Sequence, residues 1–279
     1  MGAMLLQLKK REMMKTKILD VIKKASLMAM KYEDKINTLA IDDKKGEGIA
    51  TEADLALEKF ISEELRKIED IDVLGEESFF LSGKKDFEEF KEKRLWVIDP
   101  IDGTNNFVNQ IPFYSISVAL VDKGIPQFGV VHNPRYGETF YAIKGEGAFY
   151  TRDINTQASK INSPENVKKI SECIVSLGAL ARKRDDLGRE NFMKVLKKTR
   201  AIRKFGSAAL DMCYVSLNRI DIYSENNLKP WDTAAALLVC EEAGIKVTDF
   251  SYQEFSIFQD QVLAIREPLF SSFQSFLQD

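Results

Sequence analysis

Leu95-Trp96-Val97-Ile98-Asp99-Pro100-Ile101-Asp102-Gly103-Thr104 decides the reading of this 279-residue chain. Leu95 to Ile98 is wholly apolar and β-prone, as expected of a strand covered on both faces, and the strand is expected to stop abruptly at Asp99-Pro100. Two carboxylates at the end of such a strand, with Pro100 stiffening the turn between them, fall at the carboxyl edge of a sheet, where open α/β folds place their ligands. Gly103 permits close backbone approach, and Thr104 offers both a backbone N–H and a hydroxyl. A helix beginning there would turn its N-terminus toward a phosphate. Alone, Asp102-Gly103 also reads as an ordinary turn dipeptide, so the surrounding chain has to decide.

Upstream, Ile18, Val21, Ile22, Ala25 and Met28 fall at helical spacing and predict an amphipathic helix to about Tyr32. The residues before Met13 read as an optional start and are left out of the fold. A turn segment over Asp42 to Gly48 leads to Thr51-x-x-Asp54, a capping box ahead of Leu57, Phe60, Ile61, Leu65 and Ile68 on one helical face. Ile71 to Leu74 reads as a short strand ending in Gly75-Glu76-Glu77, followed by a charged loop through Phe90. Downstream, Ser115 to Val121 and Pro126 to His132 form a hairpin around Asp122-Lys123-Gly124. Glu138 to Ile143 and Gly147 to Tyr150 form a second pair.

Polar Thr151 to Glu165 is the expected boundary between an N-terminal α+β region (1–150) and a C-terminal α/β region (151–279). Beyond it the chain alternates: strand Cys173 to Leu177, helix Arg189 to Lys198, strand Ala201 to Phe205, helix Ser207 to Leu217, strand Asp221 to Tyr223. A helix from Trp231 stops at Gly244, a left-handed C-cap. Lys246 to Thr248 and Gln261 to Ile265 read as late strands, and a final helix runs from Pro268.

Composition narrows the chemistry. Forty basic residues against 43 acidic ones leave a net charge of -3, with no basic footprint for nucleic acid. No apolar run reaches the roughly 18 residues of a membrane helix, which predicts a protein without a membrane partner. Cys173, Cys213 and Cys240 are odd in number and set among apolar neighbours, fitting buried thiols in a reducing, cytoplasmic setting. The chain has one histidine, His132, read as structural. With no other histidine and no paired cysteines, a zinc site or a histidine-based nucleophile is disfavoured, and carboxylates are left to carry any chemistry.

Glu76 and Glu77 lie just past one strand, Asp99 and Asp102 end another, Asp232 opens a helix, and Asp54 sits in the first turn of its own. Each acid alone reads as structural. Together they suggest a site for Mg2+, Mn2+ or Ca2+, which take oxygen ligands. Two such ions about 3.5–4 Å apart would suit phosphoryl transfer to water.

The segments WVIDPIDGTNNF (Trp96 to Phe107), GEES (Gly75 to Ser78), TEAD (Thr51 to Asp54), GSAALDM (Gly206 to Met212) and WDTAAALLVCEEAG (Trp231 to Gly244) occur in an order that resembles one family. It is the lithium-sensitive, magnesium-dependent phosphatases of the inositol monophosphatase type. An aspartate-nucleophile phosphatase would instead need Asp-x-Asp-x-Thr near the N-terminus. The resemblance implies an α/β fold of alternating α-β-α-β-α layers and a homodimer. It implies two or three Mg2+ ions, with Mn2+ or Ca2+ able to substitute in binding. Glu76, Asp99 and the Ile101 carbonyl would hold the first ion; Asp99, Asp102 and Asp232 the second; Glu76 with waters a third. Catalysis would fall to Asp54, Thr104 and Glu76, with Thr104, hydrogen-bonded to Asp54, orienting the attacking water.

The Gly103 and Thr104 amides would bind phosphate, and Asp102, Ala208 and Glu225, with Asp232 beside them, would meet the substrate's hydroxyls. Lys44 or Lys45 could reach the site as a loop cation. Lys229 stands where relatives have histidine, and Ala179 where a hydroxyl is common. The implied activity is hydrolysis of a small polyol or sugar phosphate, inositol monophosphate foremost. Its alternatives are 3'(2'),5'-bisphosphate nucleotidase, fructose-1,6-bisphosphatase, or a regulatory role in binding a protein partner. Asn105-Asn106-Phe107 favours the inositol branch over the nucleotidase branch.

Overall fold

The computed structural model describes residues 2–36, 39, 41–43, 49–162, 168–178 and 193–278. The helices are α1 (Gly2–Glu33), α2 (Glu52–Arg66), α3 (Glu76–Ser82), α4 (Thr104–Val108), α5 (193–198), α6 (Ala208–Ser216), α7 (Pro230–Glu242) and α8 (Phe270–Gln278). A small hairpin pairs β1 (Ile41–Asp43) with β2 (Ile49–Thr51). The larger sheet runs in chain order through β3 (Asp72–Gly75), β4 (Arg94–Asp102), β5 (Ser115–Asp122), β6 (Ile125–His132), β7 (Thr139–Ile143), β8 (Gly147–Thr151) and β9 (Ser159–Lys160). The other sheet has the order β11 (Ala201–Arg203), β10 (Ile174–Leu177), β12 (Ile222–Asn226), β14 (Gln261–Arg266), β13 (Ile245–Thr248).

Strand periodicity sorts the core into the expected α-β-α-β-α layers. Trp96 and Ile98 of β4, with Ile116, Val118 and Leu120 of β5, face Ile18, Ile22, Leu57 and Ile61 of α1 and α2. Their neighbours Leu95, Val97, Ala119 and Val121 face α6 and α7, whose opposite sides meet Tyr223, Val262 and Ala264 of the second sheet. Val175, Ile222, Leu263 and Ile265 then face Leu269 and Phe273 beneath the last layer. Successive strand residues point to opposite faces, so β4 must be apolar throughout to be buried on both.

The structure revises five expectations. First, β4 does not stop at Ile98 but runs on to Asp102. Pro100 has no N–H to give a ladder, so it sits inside a bulge: Asp99 pairs with Ser117 and Asp102 with Ser115, three steps on β4 against two on β5. Second, the charged loop after Gly75 begins with helix α3, anchored by Phe79 packing on Trp231 at 5.4 Å and on Phe87 at 4.7 Å. Third, α1 begins at Gly2, because nothing before Ile18 breaks a helix. Fourth, the segment read as a turn over Asp42 to Gly48 is entered and left by β1 and β2; 44–48 lie outside the described residues. Fifth, polar Thr151 to Glu165 contains edge strand β9, paired with β8.

The Thr51 capping box and the Asp122-Lys123-Gly124 hairpin form as read, the latter with positive φ at Lys123 and Gly124. Residues 189–192 of the expected helix Arg189 to Lys198 lie outside the described residues. Phe107 is fully buried in the core.

Candidate metal centre

Four element ends meet at the carboxyl edge of β4. The bulge brings Asp99 and Asp102 to the same side: three positions apart on a regular strand they would face opposite ways, and the one extra residue reverses that parity. Asp232 enters from the first turn of α7, its carboxylate accepting the Lys229 N–H at 2.7 Å. One carboxylate oxygen from each of Asp99, Asp102 and Asp232 lies within 4.8 Å of the others. Glu76 opens α3 outside that tight group, close enough that its charge acts on both Asp99 and Asp232.

Burial and like charge dominate the electrostatics of the cluster. Burial pushes the Asp99 carboxyl well above the usual carboxylate range, and the charges of Glu76, Asp102, Asp232 and Asp54 push it further. Asp232 is raised well above it by burial, then by Glu76 and Asp102, with its Lys229 bond opposing. Asp102 is raised to about 6 by burial, in spite of four donors that favour its ionised form. Those donors are Ser115 Oγ at 3.1 Å, Ser207 Oγ, and the Ala208 and Ala209 amides at 3.0 and 2.9 Å. Converging, desolvated carboxylates that raise one another are a donor set for a hard cation, which would neutralise their charge.

Asp54 is fully buried at the start of α2, accepting the Thr51 N–H at 2.8 Å and, through its other oxygen, the Thr104 hydroxyl at 3.3 Å. That hydroxyl lies 3.0 Å from the Ile101 carbonyl. Gly103, at φ 97°, enters α4 so closely under Gly206 that a Cβ would sit 2.9 Å from its carbonyl oxygen. Glu225, near the end of β12, is bonded by the Tyr223 hydroxyl, and its charge adds to the upward push on Asp232.

Of the residues named from sequence, Asp99, Asp102 and Asp232 are brought together, with Glu76, Asp54, Thr104 and Glu225 around them. The Ala208 amide points to Asp102. His132 lies away from the centre, between Thr139 and Ser26 hydroxyls, each at 2.9 Å. Lys44, Lys45 and Ala179 lie outside the described residues. Ser115 and Ser207, which hold Asp102, went unnoticed because only strand register and helix docking place them there. Glu58 was missed although its position one turn after Asp54 was a readable signal.

Converging carboxylates at a sheet edge, flanked by a Thr–Asp pair, form a candidate hard-cation centre of the kind metal-dependent phosphatases use. Consistent with this, residues 10–273 match the inositol monophosphatase family, and the chain belongs to that metal-dependent family. It is 40% identical over 211 residues, 75% of each chain, to a Thermotoga maritima protein named fructose-1,6-bisphosphatase/inositol-1-monophosphatase. It is 35% identical over 233 residues, 82% of each chain, to the Nus factor SuhB of Pasteurella multocida. Among solved structures, the Thermotoga maritima IMPase superposes with a TM-score of 0.77 at 34% identity, covering 93% of this chain and 94% of that one. The extragenic suppressor protein suhB of Bartonella henselae gives 0.82 at 28% identity, covering 95% and 98%. The expectation of no nucleic-acid partner finds no support in relatives named Nus factors. Among the described residues no helix is long and apolar enough to cross a membrane.

Proposed function

We propose that this chain is a Mg2+-dependent phosphomonoesterase of small polyol or sugar phosphates, acting foremost on inositol monophosphate to give inositol and phosphate. The observation that carries the reading is the convergence of Asp99, Asp102 and Asp232 within 4.8 Å. Glu76, Asp99 and the Ile101 carbonyl would hold one ion, and Asp99, Asp102 and Asp232 a second. When bound, such ions polarise the phosphoryl group and neutralise charge on the leaving oxygen.

The chain's own groups do the positioning. Thr104 accepts a hydrogen bond from the attacking water and donates its own hydrogen to Asp54, which accounts for a buried carboxylate beyond the ligand set. The Gly103 and Thr104 amides face the phosphate oxygens, and Glu225, held by Tyr223, faces the alcohol's hydroxyls. Most of the rate enhancement is then electrostatic, because phosphate monoesters hydrolyse very slowly without a catalyst.

The test is phosphate release from inositol 1-phosphate, fructose 1,6-bisphosphate, 3'-phosphoadenosine 5'-phosphate and other sugar phosphates, with and without Mg2+. Asp99→Asn and Asp102→Asn are expected to lower the rate by a factor on the order of 10³ or more at unchanged circular dichroism. A wild-type protein silent on the whole panel overturns the enzyme reading. The Thermotoga relative's double name supports fructose bisphosphatase as the second activity. Relatives named Nus factors support a protein-binding role, checked by whether tagged wild type and Asp99→Asn retain the same partners. Cytoplasmic location, a homodimer and inhibition by lithium belong to this proposal too, the last checked in the same assay.

A further inference from the structure

We infer that Glu58 is a positioning residue that sets the direction of Glu76 by holding the start of α3 from the neighbouring helix. The inference rests on the reading of Glu76 as a metal ligand. Helix α3 is only seven residues long, and its N-cap, Gly75, has no side chain to accept its first amides. Those amides are accepted from α2: Glu58 Oε2 takes the Glu77 N–H at 2.6 Å and Oε1 the Ser78 N–H at 2.9 Å. Both carboxylate oxygens are used, and the side chain is buried at 6% exposure.

Gly75 fits this arrangement. A Cβ there would lie 2.4 Å from the Glu58 carboxyl carbon and 2.5 and 2.7 Å from its two oxygens. With φ at -104°, Gly75 has no need of glycine's conformational freedom; it is needed for the space the Glu58 carboxylate occupies. The glycine of the GEES segment and a glutamate seventeen residues earlier thus form one device.

Glu58 is also one helical turn beyond Asp54, so both carboxylates leave the same face of α2. Asp54 reaches the Thr104 hydroxyl and Glu58 reaches α3, so a single rigid helix sets the spacing between the water-orienting pair and Glu76. Glu76 needs such a setting, because it comes from the end of a short helix and stands outside the tight Asp99–Asp102–Asp232 group.

The test uses the full chain and reads metal binding directly, from the free Mn2+ electron paramagnetic resonance signal during titration, alongside kcat and KM. Gln at 58 supplies one acceptor and turns an NH2 toward the other amide. Glu58→Gln is expected to weaken Mn2+ binding by roughly 5- to 30-fold, the loss of one buried charged hydrogen-bond pair. Gly75→Ala, which displaces the same carboxylate, is expected to do likewise, but to add little in a Glu58→Ala background. In a Glu76→Gln background, Glu58→Gln should have no further effect on Mn2+ binding, because the residue acts through Glu76. A Glu58→Gln protein with wild-type Mn2+ affinity and lowered thermal stability overturns the inference and leaves Glu58 a packing residue. So does a Glu58→Gln loss that persists undiminished in the Glu76→Gln background. Wild-type Mn2+ binding by Glu76→Gln itself would overturn the ligand reading instead, which separates the two failures.

Discussion

Asp99 and Asp102 face one another because a proline that cannot join a ladder forces one extra residue into β4. The consequence is a charge cluster whose protonation opposes metal binding. Asp102 sits near 6, above its ordinary 3.8, so its effect on metal-free stability is fully favourable below 3.8 and is lost as pH rises through 6. On the proposed reading, bound Mg2+ would reverse that loss. Saturating Mg2+ is therefore expected to raise Tm much more at pH 8 than at pH 5, measured by scanning calorimetry; an equal rise at both would contradict the cluster's role.

His132 works in the opposite sense. Burial lowers it from 6.5 to about 4, so the fold favours the neutral ring. Its contribution is present above 6.5 and is lost as pH falls toward 4, amounting to about 3 kcal/mol. As the only histidine, it gives one ring signal by NMR, which should titrate near 4. His132→Gln should flatten the stability profile over that range.

At the scale of elements, the described side chains of α1 pass from exposed ones to a stretch with a buried face. Residues 9–13 are exposed and Arg11 meets Glu146 at 3.1 Å on the surface, whereas Ile18, Ile22 and Ala25 are fully buried. Arg11→Ala should cost no more than ~1 kcal/mol, since exposed ion pairs contribute little. Ile22→Ala should cost about 2–5 kcal/mol by chemical denaturation, because it opens a cavity under the large sheet. Helix α3 shows the reverse case: too short and too acidic to be read from periodicity, it exists through the Phe79–Trp231 packing and the Glu58 carboxylate.

For the whole molecule, α6 and α7 form a layer shared by the two sheets. Buried residues of β4 to β7 and of β12 and β14 belong to one continuous cluster with them, so neither sheet has a private core on that side. The two sheets are therefore expected to unfold together. Trp96 lies under α2 and Trp231 in the shared layer, and they are the only tryptophans. Within each single-tryptophan variant, Trp96→Phe or Trp231→Phe, fluorescence and far-UV circular dichroism should report one denaturation midpoint, and midpoints that differ between probes would show that the halves along 1–150 and 151–279 unfold independently.

Periodicity alone specified most of the layers, since amphipathic faces such as Leu57-Ile61-Leu65 and the apolar run Leu95 to Ile98 have few ways to be buried. Residue type and motif order pointed to the acids of the site, because hard cations and phosphate require oxygen donors and close glycine backbone. What sequence could not supply was direction. The bulge that turns Asp102 beside Asp99, the Ser115 and Ser207 hydroxyls that hold it, and the Glu58 clamp on α3 all depend on strand register and helix docking. Those are contacts between residues 13 to 105 positions apart, and local spacing carries no record of them.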